Sequence, residues 1–496
     1  MQDQQKLLKD RGICVIIPVY NNEKTIGEVV RKSLDNCLDV IVVNDGSTDS
    51  TGEILHSLSG ITLVEYPDNQ GKGYALKRGF KKALELGFAY AITIDADGQH
   101  YPDDIANFLK ANQKHPGAIL VGKRNLDGVE RSKGSSFANK FSNFWFTVQT
   151  LKKGIDAQSG YRLYPLKKLY GLSIVSARYE SELELLVLPA WHGVKIFSVP
   201  IRVYYPPENE RVSHFRPGKD FARISVLNTI LCILGLIYAL PLGIIRFIFK
   251  YLRTIYAALV FGVFTLLFLT PFVWLYVKIG KMTEKKQLKL HKLIQNISRF
   301  VMLVHGIPGT KFSYKVADCV SMEKPRVVIC NHQSHFDLAC QLIFTPKIVF
   351  LTNNWVWNNP FYGFMIRHAE YYPVAEGIDN LLPKLQNLIN RGYNIAVFPE
   401  GTRSKDCKIG RFHQGAFYIA QKLGVEILPM YLYGTGKVLP KKTYVLQKSP
   451  IYIEVDKPLT RSELDAIGNE MQQASYMRKI YIEKYSQICN EIEQNV

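Results

Sequence analysis

The chain has 496 residues, of which 47% are hydrophobic and 12% aromatic, and 62 Lys and Arg against 43 Asp and Glu give a net charge of +19. At roughly 100–200 residues per domain, this length predicts about three domains. A basic balance suits nucleic acid, anionic lipid headgroups or phosphorylated substrates, but the absence of an aromatic-basic recognition motif argues against nucleic acid. The eight cysteines form no Cys-x-x-Cys pair and show no metal-ligand spacing, so we expect reduced thiols in a cytosolic compartment. The polar N-terminus lacks the apolar core of a signal peptide and predicts no export.

In the first half of the chain, short apolar runs rich in β-branched residues alternate with helical patterns. Strands are predicted at 13–19, 39–44, 61–66 and 89–94, and helices at 24–34 and 73–86. This alternation predicts an α/β fold with a doubly wound sheet, whose ligands lie at the carboxyl ends of the strands. Polar clusters at 20–23, 45–50 and 95–100 follow three of these strands, so we expect them to share one cleft.

Two aspartates, Asp95 and Asp97, follow the fourth predicted strand one residue apart. Their carboxylates can hold Mg²⁺ or Mn²⁺, which proteins bind through one or two carboxylates together with substrate phosphates. Such an ion neutralises a departing diphosphate and leaves an electrophilic sugar carbon for attack. Asp45, at the end of the second strand, suits the base or ribose of a nucleotide. An isolated Asp-x-Asp is more often a turn or capping pair, but here it is one of a series of strand-end motifs.

Four segments of this half, IIPVYNNE, VVNDGSTDST, NQGKGYALKRGF and TIDADGQHYPDDI, together resemble the family 2 glycosyltransferases, especially the branch that makes dolichyl- or polyprenyl-phosphate sugars. The resemblance covers residues 13–205. It implies a Rossmann-like GT-A domain, a nucleoside-diphosphate sugar donor, inversion at the anomeric carbon and a divalent metal. The nucleotide-sugar-binding residues that it implies are Pro18, Tyr20, Glu23, Asp45, Lys72, Asp95 and Arg124. The metal ligands that it implies are Asp95, Asp97 and Gln99.

The acceptor of this half is open between two chemistries. A phosphate acceptor is already nucleophilic, whereas a hydroxyl needs a general base. Glu182 and Glu184 lie where this family often places an acidic pair, and either could be that base, with a solvated helix face as the alternative. The resemblance also puts an acceptor-side segment at 158–162, and Arg211 and Ser213 are expected to close over the diphosphate.

Two uncharged apolar blocks, 226–245 and 257–277, lie in the middle of the chain. A bilayer core about 30 Å thick needs roughly 20 apolar residues in a helix, and each block supplies that number. They predict a membrane helical hairpin. The basic residues between the blocks, Arg246, Lys250 and Arg253, leave open whether the hairpin spans the bilayer or is re-entrant. Basic residues also crowd both flanks, which predicts contact with an anionic membrane surface.

In the second half, a predicted strand at 326–330 ends in NHQSHFD. One turn can bring His332 against Asp337, which would fix the imidazole tautomer and stabilise its protonated form, so that His332 takes a proton from a substrate hydroxyl. A structural hydrogen bond is the alternative for an isolated His and Asp, and His335 competes for the same role. A further strand at 395–398 leads into PEGTRS, in which Glu400 and Arg403 can orient a polar or phosphorylated group.

The segments NHQSHFD and FPEGTRS together resemble the glycerol-phosphate acyltransferase superfamily, which includes lysophospholipid acyltransferases. The resemblance covers residues 300–450 and implies an α/β acyltransferase domain with His332 as base and Asp337 as its partner. It also implies an acyl-CoA or acyl-carrier-protein donor and no cofactor. The acyl-acceptor-binding residues that it implies are Arg367, Glu400, Gly401, Thr402 and Arg403. Because Arg367 is followed by His368 rather than a second Arg, glycerol 3-phosphate itself is disfavoured as acceptor.

The sequence therefore predicts a glycosyltransferase domain at 1–220, a membrane anchor with two apolar helices at 221–285 and an acyltransferase domain at 286–496. We expect a bifunctional enzyme of glycolipid biosynthesis at a bacterial inner membrane, with both catalytic domains on the cytoplasmic side. It would glycosylate a membrane lipid acceptor and acylate the product or a related lipid. The alternatives are two independent activities, a polyprenyl-phosphate glycosyltransferase fused to a lysophospholipid acyltransferase, or one non-catalytic half that delivers lipid to its neighbour.

Overall fold

The computed structural model describes residues 2–124, 133–172, 174–204, 217–263, 267, 269–305, 310–360 and 363–495. The chain divides into two compact units, Met1–Ile245 with Glu493–Val496 and Arg246–Ile492. In the described part of the chain, each unit is built on its own seven-stranded, mostly parallel sheet. The predicted α/β class is confirmed in both halves, whereas the domain boundaries at 220 and 285 stay predictions.

The sheet of the first unit has the strand order β3-β2-β1-β4-β6-β5-β7. Its strands are β1 (Ile13–Val19), β2 (Val40–Asp45), β3 (Ile61–Tyr66), β4 (Tyr90–Thr93), β5 (Ile119–Arg124), β6 (Arg162–Pro165) and β7 (Ile196–Ile201). Strand β1 pairs in parallel with both β2 and β4, so the carboxyl ends of these three strands meet at one edge. Strand β6 runs antiparallel to β4 and β5.

Helices cover both faces of this sheet. They are α1 (Gln2–Asp10), α2 (Ile26–Asn36), α3 (Thr51–Ser57), α4 (Lys72–Glu85), α5 (Ile105–Lys114), α6 (Lys133–Thr150), α7 (Leu166–Leu169), α8 (Ser181–Trp191) and α9 (Pro217–Leu234). Along β1, Cys14 and Ile16 belong to one apolar core, while Ile13, Val15 and Ile17 belong to the other. Burial on both faces explains why this strand is a continuous apolar run instead of an alternating one.

Helix α9 continues through a π-helical turn at Gly235–Ala239 into α10 (Leu240–Val263). Among the described residues one helix is long and apolar enough to cross a membrane, Gly218–Val260 with 43 residues, and almost none of its apolar window is buried. The predicted turn between the two apolar blocks is wrong, because the segment that contains Arg246, Lys250 and Arg253 is helical. That segment contains no Gly or Pro to interrupt the helix, and its basic residues recur at about one-turn spacing on one side of the helix.

The sheet of the second unit has the order β11-β10-β12-β9-β13-β14-β8. Its strands are β8 (Phe312–Val316), β9 (Val327–Cys330), β10 (Ile348–Thr352), β11 (Tyr372–Pro373), β12 (Asn394–Val397), β13 (Ile427–Tyr433) and β14 (Ile451–Val455). Strand β9 lies between β12 and β13, parallel to both and buried along its whole length. The segment that follows β9 is therefore presented at the carboxyl edge of the sheet.

Ten helices are described in this unit beyond α10, and they pack on its sheet and edges. They are α11 (Thr270–Lys278), α12 (Glu284–His305), α13 (Phe336–Leu342), α14 (Asn354–Trp357), α15 (Gly363–His368), α16 (Ile378–Asn390), α17 (Gly415–Leu423), α18 (Thr435–Val438), α19 (Arg461–Ile467) and α20 (Glu470–Asn495). The short helix α13 begins directly after the turn that ends β9, and its first residues carry the aspartate of the predicted dyad.

Candidate active sites

A cavity of about 770 Å³ opens at the carboxyl ends of β1, β2 and β4 in the first unit. Of the residues predicted to bind nucleotide sugar or metal, six line it: Pro18, Tyr20, Asp45, Lys72, Asp95 and Asp97. Glu23, Gln99 and Arg124 are not among its described lining residues. The doubly wound topology therefore brings most of the predicted strand-end residues into one cleft.

Lys72, which lines this cleft, forms ion pairs with two carboxylates. Its Nζ lies 2.6 Å from Asp95 Oδ1 and 2.5 Å from Glu182 Oε1. Burial favours the protonated form of Asp95, but Lys72, His100 and Arg162 together lower the pKa of Asp95 below its ordinary value. Burial and the neighbouring Asp95 raise the pKa of Asp97 to about 6. The cluster is a set of partly buried charges that a polyanionic substrate with its cation can rearrange.

The geometry around Asp95 and Asp97 fits a divalent cation. Both carboxylates line the same cavity, and hard carboxylate oxygens are the ligands that Mg²⁺ and Mn²⁺ take. A Cβ on Gly160 would lie 2.5 Å from Asp95 Oδ2, so glycine leaves room beside this carboxylate. Within the described residues, no group of three or more His, Cys, Asp and Glu side chains gathers as a ready metal site. Substrate phosphates and water would have to complete the coordination.

Asp45 holds a loop in place. Its carboxylate accepts hydrogen bonds from Gln70 N at 2.9 Å, Gly71 N at 2.8 Å and Asn69 Nδ2 at 3.1 Å. Gly71 has a positive φ of 98°, and a Cβ there would lie 2.7 Å from the carbonyl oxygen of Ala177. The loop is thus clamped between β2 and the segment before α8, and it sets the start of α4, where Lys72 lies.

Two residues predicted to contact substrate are engaged elsewhere. Arg124 forms a two-point ion pair with Asp156, with Nε–Oδ2 at 2.6 Å and Nη2–Oδ1 at 2.8 Å. Glu23 accepts a hydrogen bond from Ser50 N at 3.2 Å. Arg211 and Ser213 lie outside the described residues.

The two carboxylates of the acidic pair on α8, Glu182 and Glu184, make different contacts. Glu182 faces Lys72 at the cleft. Glu184 is 5% exposed, and its Oε2 accepts hydrogen bonds from Ser176 N at 3.0 Å and Ser176 Oγ at 2.6 Å. Glu182 is therefore the member of the pair that contacts a cavity-lining residue, although it is not itself among the described lining residues, and Glu184 fixes the segment that precedes the helix.

Sequence reasoning missed part of the cleft wall. Lys219, Asp220 and Arg223, in the first turns of α9, line the cavity together with Arg178 and Tyr179. Their signal is the basic cluster just before the apolar block, which predicts contact with an anionic membrane surface and also lies where the family has a basic closing segment. The helix that continues into the apolar segment thus begins at this cleft.

In the second unit, the turn after β9 forms the predicted dyad. His332 Nδ1 lies 2.8 Å from Asp337 Oδ2, and that oxygen also accepts hydrogen bonds from Gln333 N at 2.6 Å and Ser334 N at 2.8 Å. The imidazole stacks on Phe398 with ring centroids 4.0 Å apart. With Nδ1–H donated to a buried carboxylate, Nε2 is the ring nitrogen left to accept a proton.

Glu400 connects the dyad turn to the PEGTRS loop. Its Oε1 accepts a hydrogen bond from His332 N at 2.9 Å, and its Oε2 accepts one from Gly410 N at 2.8 Å. Burial raises the pKa of Glu400. The loop is fixed again where Ser404 N donates to His332 O at 2.7 Å. Glu400 therefore positions the loop, and its recorded bonds are internal to the protein.

The predicted acceptor residues differ in their engagement. Lys441, which sequence reasoning missed, donates from Nζ to Thr402 Oγ1 at 3.0 Å and to Arg403 O at 2.7 Å. The exposed Arg367 donates from Nη1 to Trp357 O at 2.6 Å. Burial, followed by the charge of Arg403, lowers the pKa of His335. Lys441 therefore adds a second cation beside Arg403 in the PEGTRS loop.

Residues 14–164 match the family model described as Glycosyl transferase family 2. Over 221 residues the chain is 33% identical to UDP-N-acetylglucosamine--dolichyl-phosphate N-acetylglucosaminyltransferase of Methanococcus voltae, covering 40% of this chain and 88% of that protein. The chain belongs to glycosyl transferase family 2. The polyprenol monophosphomannose synthase of Mycolicibacterium smegmatis is 30% identical over 206 residues, which are 38% of this chain and 75% of that protein.

Residues 311–433 match the family model described as Acyltransferase. The chloroplastic 1-acyl-sn-glycerol-3-phosphate acyltransferase LPAT1 of Arabidopsis thaliana is 31% identical over 156 residues, which are 30% of this chain and 44% of that protein. The chain thus spans less than half the length of this acyltransferase relative. The protein is a transferase with a glycosyltransferase and an acyltransferase domain, as both resemblances predicted.

Proposed function

We propose that the first unit transfers a sugar from a nucleoside-diphosphate sugar to a lipid-linked hydroxyl or phosphate. We further propose that the second unit transfers an acyl chain from acyl-CoA or acyl-carrier protein to a hydroxyl of that product or of a related lipid. The observation that carries the proposal is the presence, in one chain, of Lys72 and Asp95 in a strand-end cavity, with Glu182 paired to Lys72, and of the His332–Asp337 dyad.

For sugar transfer, Asp95 and Asp97 would hold Mg²⁺ or Mn²⁺, which when bound neutralises charge on the departing diphosphate. Lys72, already within hydrogen-bonding distance of Asp95 and Glu182, would turn to a phosphate oxygen when the donor enters. Glu182, released from that ion pair, would take the proton of an acceptor hydroxyl. The acceptor oxygen then bonds to the anomeric carbon as the bond to the diphosphate oxygen breaks. A phosphate acceptor needs no such base.

For acyl transfer, His332 Nε2 would take the proton of the acceptor hydroxyl while Asp337 stabilises the resulting imidazolium. The acceptor oxygen attacks the thioester carbonyl carbon, the carbon–sulfur bond breaks, and the departing thiolate receives the proton from His332. Arg367 and Arg403 would orient a phosphate on the acceptor, because guanidinium groups bind phosphate through paired hydrogen bonds. The name of the LPAT1 relative, a 1-acyl-sn-glycerol-3-phosphate acyltransferase, supports an acceptor of this chemical class.

We place the enzyme at a bacterial inner membrane with both units in the cytosol, where nucleotide sugars and acyl thioesters are available. The uncharged part of the long helix, 226–245, would bury apolar side chains in the cytoplasmic leaflet without crossing the bilayer, so that both units stay on one side, and Arg246, Lys250 and Arg253 would meet anionic headgroups. Cys319 is exposed in the second unit, so a membrane-impermeant thiol reagent should label it only after cells are permeabilised. The same result is expected for Ser59→Cys in the first unit, and labelling of either cysteine in intact cells would contradict the placement.

The two reactions are proposed to be consecutive, because a shared anchor raises the local concentration of a membrane-bound intermediate. Mass spectrometry of lipids from cells expressing the wild type, Asp97→Asn or His332→Ala tests this. We expect Asp97→Asn to remove both a glycosylated and a glycosylated, acylated lipid. His332→Ala should accumulate the glycosylated, unacylated species. Asp103→Asn and His192→Ala, at exposed positions of the same residue types, are matched controls.

Other outcomes would overturn the proposal in different ways. If the two variants alter unrelated lipids that share no intermediate, the activities are independent. If neither variant alters any lipid, the proposed catalytic roles of Asp97 and His332 are wrong.

A further inference from the structure

The C-terminal helix α20 packs into the core of the second unit. Its buried residues Met477, Tyr481, Tyr485 and Ile488 follow helical spacing and lie on one face. The match to the Acyltransferase family ends at residue 433. Helix α20 is therefore part of this unit's core but lies outside the region whose function the family match describes.

Tyr481 inserts its hydroxyl between β9 and β13. The hydroxyl donates to Ile329 O at 2.8 Å and accepts a hydrogen bond from Met430 N at 3.1 Å. Pro429, which is paired in register with Ile329, has no N–H to donate. The Tyr481 hydroxyl thus supplies hydrogen bonds where a proline in a central strand interrupts the ladder.

Tyr485, one turn further along α20, contacts the turn that follows β9. Its hydroxyl accepts a hydrogen bond from Gln333 Nε2 at 2.7 Å, and this amide also donates to Cys407 O at 3.2 Å. The backbone N–H of Gln333 donates to Asp337 Oδ2. One residue therefore connects α20 to the carboxylate that orients His332.

The two tyrosines hold the chain at residues 329 and 333, on either side of His332. We propose that Tyr481 and Tyr485 are positioning residues for acyl transfer, which fix the turn after β9 so that His332 Nε2 faces the acceptor hydroxyl. This inference depends on the proposed role of His332 as the base. The turn itself has no regular secondary structure, and a displacement of about 1 Å in a catalytic group can cost roughly a hundredfold in rate.

The test compares three tyrosine-to-phenylalanine variants of the full chain. Tyr485→Phe and Tyr481→Phe each remove a bonded hydroxyl. Tyr431→Phe is the matched control, because its hydroxyl is buried with no partner among the described residues and its ring lies 4.5 Å from that of Tyr481. Sugar transfer by the first unit, measured in the same preparations, reports intact protein.

We expect Tyr485→Phe to lower kcat for acyl transfer about tenfold, with KM for the acyl thioester unchanged. Tyr431→Phe should keep the wild-type kcat and KM. In a Gln333→Ala background, Tyr485→Phe should cause no further loss, because its partner is already absent.

The proposal is overturned if Tyr485→Phe and Tyr481→Phe match Tyr431→Phe in kcat. It is also overturned if they lower only the unfolding temperature, or if Tyr485→Phe and Gln333→Ala reduce the rate independently. Failure of the proposed function is a separate result, since it would be seen as undiminished acyl transfer in His332→Ala.

Discussion

Asp337→Asn removes the charge of the acyl-transfer dyad while keeping its shape. The three recorded donors to the carboxylate, His332 Nδ1, Gln333 N and Ser334 N, all meet Oδ2, and an amide oxygen can accept the same bonds. What is lost is the attraction between a buried carboxylate and the imidazolium that forms during the reaction. For charges about 4 Å apart at an effective dielectric constant of about 20, this attraction is about 4 kcal/mol. At about 1.4 kcal/mol per factor of ten, we expect kcat for acyl transfer to fall about a thousandfold.

The rate is measured from thiol release by an acyl thioester, and thermal unfolding reports whether the turn is intact. Asp406→Asn, in the exposed part of the PEGTRS loop, is the matched control. A loss of less than about tenfold in Asp337→Asn, with the unfolding temperature unchanged, would refute the electrostatic role assigned to Asp337.

Three further predictions concern the sugar-transfer cleft and a buried histidine. Glu182→Gln should lower the rate of sugar transfer to a hydroxyl acceptor by about 10²–10⁴-fold. Glu184→Gln should mainly lower the free energy of unfolding, by about 1–3 kcal/mol. Equal rate losses in the two variants would contradict the assignment of different roles to Glu182 and Glu184. Gly160→Ala should weaken Mn²⁺ binding about 10–100-fold, because its Cβ would lie 2.5 Å from Asp95 Oδ2. Electron paramagnetic resonance measures the Mn²⁺ affinity, and an unchanged affinity would show that Asp95 is not a metal ligand. Burial lowers the pKa of His291 to about 4, so the unfolded chain takes up its proton first as the pH falls. The stability that is present above pH 6.5 should therefore decrease by about 3 kcal/mol on reaching pH 4. Denaturant unfolding of His291→Leu should lack this dependence, and an identical pH dependence in the variant would refute it.

The sheets could be predicted where burial leaves a strong pattern. Strands β1 and β2 are apolar along their length because helices cover both faces, and their predicted bounds agree with the structure within one residue. Strands β6 and β7 were not predicted, because β6 contains Arg162 and β7 contains Pro200, which weaken the apolar pattern. Arg162 is nonetheless fully buried, and its guanidinium donates to Glu182 O at 2.7 Å and Tyr164 Oη at 3.0 Å. Such a residue follows tertiary hydrogen bonding, which periodicity does not report.

The sequence predicts which residues lie at the two candidate sites, but it does not predict which of them fix loops and which are left to contact substrate. Motifs located the two clefts because strand ends in a parallel sheet converge, and this depends only on topology. Which oxygen of each motif is already engaged depends on loops that are distant in sequence. Asp45 is engaged by residues 69–71, and Glu400 is engaged by Gly410 as well as by His332.

Both clefts use the same physical arrangement. In each, one motif carboxylate accepts hydrogen bonds from backbone N–H groups and so fixes a loop, and a second group at the end of a different strand is proposed to contact substrate. Asp45 and Glu400 have the first role, and Asp97 and His332 Nε2 have the second. A carboxylate that accepts two or three backbone hydrogen bonds is a rigid element of the protein, since each charge-assisted bond is stronger than a neutral one. Loops held in this way can carry reacting groups without regular secondary structure, and this makes the hydrogen bonds from α20 to the turn beside His332 part of the same design.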